Sequence, residues 1–129
     1  MEKQIPQNKQ NKYDSLINQI KDANLKEVLL FLISNNLVNP NKINLNGDFE
    51  GNIKQEIGDS IKEKYRDMNE KFSELRKSGR DLGVLNFKLM MIPLKIKIFL
   101  STYEKKDAEN LVNRIEEINK EINPTKQIN

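Results

Sequence analysis

Arg76, Lys77 and Arg80 crowd a single glycine in the stretch RKSGR, and Lys88 follows about two helical turns beyond. Cations grouped at a turn can bind phosphate, because each Arg offers a planar fork of donors that reaches adjacent backbone oxygens. These four residues are therefore the candidate phosphate or nucleic-acid site. A plainer reading makes the same charges structural, since cations near the C-terminus of a helix complement its dipole. No aromatic residue lies between Arg76 and Arg80, so stacking on single-stranded bases has no support at the turn. The wider composition points the same way. Lys (18) far outnumbers Arg (4), and Asn (18) and Ile (15) are abundant. Lys, Asn and Ile are favoured by AT-rich coding, which accounts for a basic balance without a nucleic-acid partner.

Other chemistries are poorly served. The 129 residues include no His and no Cys. The commonest general base, the commonest transition-metal ligand and every thiol are missing, so Ser-His-Asp, Cys-His and His-zinc mechanisms are excluded. Glu56, Asp59, Glu63, Asp67, Glu70 and Glu74 alternate with lysines along one stretch. Glu63 and Asp67, one turn apart, could share a cation weakly, but the pattern reads as a solvated helix face. Glu116, Glu117 and Glu121 read likewise. NLNGDFEG, residues 44–51, hints at a calcium loop yet misses the twelve-residue spacing with its terminal Glu, and is read as a turn. Neither GxxxxGK[ST] nor GxGxxG occurs. The expectation is a protein without cofactor or metal and without enzymatic activity, since nothing supplies a tuned acid–base pair. No small-molecule substrate is evident.

The elements that would position these residues are helical. Few Gly (5) and Pro (4) with 32% charged residues suit long solvated helices better than strands and turns. The predicted fold is an all-α antiparallel bundle. A long hairpin pairs residues 53–78 with 81–101, a C-terminal helix spans 105–122, and an N-terminal helical segment spans 12–38. Tyr13, Leu16, Ile17 and Ile20 open that segment, with a weak break at 22–24. Its second half is too apolar all round for a surface helix and is predicted buried. It should stop before Pro40. Residues 39–52, rich in Asn and Gly, form the predicted loop. Tails at 1–11 and 123–129 are predicted disordered, flanking a single domain over 12–122.

The cleanest helix carries Ile53, Ile57, Ile61, Tyr65, Met68, Phe72 and Leu75 in one narrow stripe. The stripe resembles a coiled-coil seam, but three successive steps of four favour a hairpin or bundle. Arg66/Glu70 and Asp67/Lys71 offer i,i+4 ion pairs. Gly79 suits the left-handed position after that helix, and Asp81 suits the cap of the next. So short a turn predicts antiparallel neighbours. Ser101 or Thr102 should cap the last helix, which is apolar at Ala108, Leu111, Val112, Ile115, Ile118 and Ile122.

Residues 82–100, LGVLNFKLMMIPLKIKIFL, form the one long apolar run, with three lysines and no acid. At about 100° per residue it has two apolar arcs. One holds Leu82, Leu85, Leu89, Ile92, Ile96 and Leu100. The other holds Phe87, Met90, Met91, Leu94 and Ile98 and is the candidate partner interface. Two arcs predict a central helix packed on both sides. Pro93 predicts a kink or break near 89–93, and the alternating residues 94–99 leave a short strand as an alternative to helix. Lys88, Lys95 and Lys97 make a membrane span too costly. The N-terminus lacks a signal-peptide core, which leaves the cytoplasm as the expected location. The functional expectation is a helical protein-protein interaction or scaffold module, binding a partner protein or a second copy of itself. Nucleic-acid or ribosome association through the basic turn is the alternative.

Overall fold

The computed structural model describes residues 15–122, and the predicted tails fall outside the described residues, as do residues 12–14. The described residues are all α-helical apart from turns and one 3-10 turn at Pro40–Lys42, with no strand among them. After a short helical turn at 15–19, five helices follow: α1 Ala23–Ser34, α2 Phe49–Lys77, α3 Gly83–Met90, α4 Ile92–Thr102 and α5 Lys105–Ile122.

The predicted 12–38 segment is thus two pieces, because Asp22 starts a new helix. Its carboxylate accepts from the backbone N–H of Asn24 (3.0 Å) and Leu25 (3.2 Å), satisfying donors that a helix start leaves open. The helix then stops before Asn39. Asn36 turns left-handed at φ 62°, the Leu37 N–H bonds the Leu32 carbonyl at 2.9 Å, and the Asn36 N–H bonds the Ile33 carbonyl at 3.0 Å. This is a Schellman end, which satisfies the last carbonyls locally and needs no proline. Leu25, Val28, Leu29 and Leu32 are buried, while Leu30 stays exposed. The segment is not buried all round.

α2 begins at Phe49, four residues inside the predicted 39–52 loop. The Asp48 carboxylate accepts from the Gly51 N–H at 3.1 Å and caps the helix earlier than the apolar stripe suggests. Glu50 in the same first turn accepts from the backbone N–H of Lys21 (2.7 Å) and Asp22 (3.3 Å). Asp48 and Glu50, the acids of the calcium-like stretch, are both engaged by backbone donors. The Asn52 amide donates to the Asn44 carbonyl at 2.9 Å and also to that of Asn46, so the Asn-rich loop folds onto the helix it precedes. Along α2 the predicted stripe faces inward: Ile53, Ile57, Ile61, Met68 and Phe72 are buried, Tyr65 and Leu75 half-buried. Arg66 turns back to Glu63 at 3.8 Å instead of forward to Glu70.

Gly79 takes the expected left-handed conformation at φ 88°. Asp81 does not hold the cap position itself. α3 starts one residue later than a cap at Asp81 would allow, and the Asp81 carboxylate accepts from the Gly83 N–H at 3.2 Å. The predicted helix 81–101 is broken at Met91. Pro93 has no N–H to offer Leu89, and it sits in the first turn of α4, where that missing donor costs nothing. Met91 stays in the right-handed helical region at φ −80°, ψ −17°, so the two pieces follow one another with little loss of helical phase. Residues 94–99 are helix, not strand. α4 runs on through Ser101 and Thr102 and ends at Tyr103, left-handed at φ 51°.

α5 is the hub. It packs against α1, α2, α3 and α4, most extensively against α4. Its six predicted apolar positions, Ala108 to Ile122, are all buried. The short turn at Gly79 does not make α2 and α3 close neighbours as expected: α2 packs mainly on α4 and α5, and α3 mainly on α5 and α4, so the hairpin pairs α2 with the second half of 81–101. One buried apolar cluster runs from Leu16 to Ile122.

Candidate docking face

The run 82–100 is packed on one side only, which corrects its reading as a doubly packed central helix. Leu82, Leu85, Leu89, Ile92 and Ile96 are buried and Leu100 is half-buried. The opposite arc meets solvent. Phe87, Met90, Leu94 and Ile98 are 43–67% exposed, and Val84 reaches 70%. Met91, the fifth residue of the predicted interface, is half-buried at the junction of α3 and α4. Spacing of 84, 87, 90/91, 94 and 98 follows the 3.6-residue period, so these side chains share one side of the α3–α4 rod. Val84 does not belong to the arc as read from the sequence. Its place three residues before Phe87 is the signal that could have found it.

Pairing explains why this arc stays out. α5 has a single apolar stripe, and the first arc of α3 and α4 occupies it together with stripes from α1 and α2. No further helix of the described residues remains to cover the second arc. Exposed apolar clusters of this kind mark contact surfaces in soluble proteins.

A hollow of about 490 Å³ adjoins the face, between α2 and α4. Tyr65, Pro93, Ile96 and Leu100 line it, with Lys62 and Lys97 contributing the charge. Gly58 lies at this crossing: a Cβ placed on it would sit 4.0 Å from Leu100 Cδ1, an ordinary contact. The hollow has no local sequence signal, because it arises where two remote helices diverge.

The basic residues around Gly79 do not form one open patch. Arg80 donates to the Glu121 backbone carbonyl at 3.3 Å, and Lys88 forms an ion pair with the Glu121 carboxylate. Glu121 is in the last turn of α5, where carbonyls lack intrahelical partners and the dipole favours cations. The dipole explanation therefore holds in kind, but these two cations serve α5 and not α2. Arg76 lies 5.2 Å from the centroid of the Phe72 ring, one turn back on α2. Lys77 is exposed at the end of α2. Arg80 and Lys88 come together at Glu121, while the two α2 cations turn to a ring face and to solvent.

Glu63 and Asp67 line a second hollow of about 460 Å³ beside the 36–42 turn, with Lys42 and Lys64 among them. Among the described residues no group of three or more acidic side chains is placed to hold a metal ion. The Tyr103 phenol is raised above its ordinary 10.0 by burial. Its ring packs on Phe99 with centroids 5.4 Å apart and lies 5.2 Å from Lys54 Nζ, and its carbonyl accepts from the Asn24 amide at 2.8 Å. That makes it a clasp between α1, α2 and α4. No helix of the described residues is long and apolar enough to cross a membrane. Compared with known proteins, the chain matches no family model, no curated protein and no solved structure.

Proposed function

We propose that this protein is a non-enzymatic interaction module that docks a partner protein through the exposed face of α3 and α4. The observation that carries this reading is the exposure of Val84, Phe87, Met90, Leu94 and Ile98 on one side of two consecutive helices. Leaving these partly exposed apolar side chains in water forgoes roughly 1 kcal/mol or more apiece. A bound partner recovers part of that. Met and Phe in the set suit such a surface, because flexible thioethers and flat rings adapt to a partner's shape.

The nucleic-acid alternative draws less support, since Arg80 and Lys88 already serve Glu121. The discriminating experiment compares proteins captured from the native host by the full chain and by a Leu94→Asp, Ile98→Asp variant. Both positions are about half exposed, so the variant should remain folded with at most a small drop in thermal unfolding temperature while a captured protein is lost. An identical captured set sinks the proposal. Retention on heparin that collapses with salt and with Arg76→Ala plus Lys77→Ala would instead favour nucleic acid.

A further inference from the structure

The exposed face and the hollow beside it carry charge of one sign. Residues 82–103 hold Lys88, Lys95 and Lys97 and no acid; Lys88 is paired with Glu121, which leaves Lys95 and Lys97 as the cations of α4. Around α4, at about 100° per residue, Leu94 and Ile98 point outward with Lys97 on one flank and Lys95 on the other. Beyond Lys97 lies the hollow, whose second cation is Lys62 on α2 and whose lining includes no carboxylate. Lys97 has Pro93, Leu94, Leu100 and Ser101 as its helical neighbours, so no acid on its own helix can pair with it. An apolar strip with a cationic border and an apolar hollow selects for an occupant with the reverse pattern.

We infer that α4 and the adjoining hollow receive an acidic amphipathic helix of a different protein, an inference that rests on the docking reading above. The occupant presents apolar side chains at i, i+3, i+4 and i+7. They cover Leu94 and Ile98, and one enters the hollow between Tyr65 and Leu100. Carboxylates on its flanks meet Lys97 and Lys62. Two features favour this over other occupants. A second copy meeting through the same face would set lysines against lysines, because an isologous contact apposes identical patches. A lipid surface is flat and would leave the hollow unfilled, whereas a side chain from a partner helix fills it.

The test uses the full chain and two synthetic helices of identical apolar sequence, one flanked by Glu and its twin by Lys, each with a fluorophore for anisotropy. The Glu-flanked helix should bind at least roughly tenfold more tightly and weaken as salt rises. Lys62→Glu plus Lys97→Glu should reverse the preference, with circular dichroism confirming an unchanged fold. Equal binding of both helices would overturn the acidic partner while leaving the docking face standing. Binding of neither helix, together with an identical captured set from the Leu94→Asp, Ile98→Asp variant, would overturn both. Two controls complete it. Co-sedimentation with phosphatidylglycerol vesicles but not phosphatidylcholine vesicles, without helix binding, would overturn the inference and assign the face to an anionic membrane. Concentration-dependent dimers abolished by Ile98→Asp would overturn it in favour of a second copy.

Discussion

Single residues here act mainly at the ends of helices, and several do so through chemistry that sequence spacing only half reveals. Asp22, Asp48 and Asp81 each direct a carboxylate at N–H groups where a helix begins. Asp81 does so from one position outside the cap. Glu121 gathers Arg80 and Lys88 from 41 and 33 residues away, a meeting that no local pattern announces. Tyr103 yields a prediction with a definite sign. Burial raises its folded pKa above the ordinary 10.0, so the fold prefers the neutral phenol. That preference is fully present below about pH 10 and is lost as pH rises through the folded value. Urea midpoints of the wild type should therefore fall on the alkaline side more steeply than those of Tyr103→Phe. At neutral pH the same substitution should cost less than about 1 kcal/mol, because the hydroxyl's bond to the Lys54 carbonyl is long at 3.5 Å. Parallel curves for the two proteins up to about pH 12 would remove the argument.

At the level of elements, helices are legible wherever a one-sided apolar stripe repeats. The stripe of α2 and the bounds of α5 stand as read, since burial of one face fixes both the phase and the extent of an amphipathic helix. The starts of α1 and α2 and the end of α1 differ from the expected bounds because caps, not stripes, decide them. Residues 82–100 are ambiguous for a different reason: two apolar arcs say that two sides are apolar, not that two sides are covered. Gly58 tests the packing of α2 on α4. Glycine in a helix interior costs about 0.5–1 kcal/mol relative to alanine. Space for a Cβ exists beside Leu100 at 4.0 Å. Gly58→Ala should thus raise the stability by up to about 1 kcal/mol, read as a higher urea midpoint at constant slope. A lower midpoint would mean that the two helices sit closer than this geometry gives.

For the whole molecule, the distribution of burial separates what holds the fold from what is offered to a partner. α5 is packed by all four other helices, so Leu111→Ala should cost about 2–5 kcal/mol. Ile98→Asp, on the open face, should cost about 1 kcal/mol or less, well below Leu111→Ala. Comparable losses from the two would place Ile98 in the core and close the face to any partner. The sequence by itself determined the fold class, the stripes of α2 and α5, a break near residues 89–93 caused by Pro93, and the exclusion of His and Cys chemistry. These follow from residue type and from the 3.6-residue period, both local properties. Only the tertiary structure decided that α5 is central and that the arc from Val84 to Ile98 faces water. It also decided that Arg80 and Lys88 close the end of α5 and that a lysine-bordered hollow opens between α2 and α4. Each of these depends on which stripe takes which partner, a competition among distant segments for one limited apolar surface.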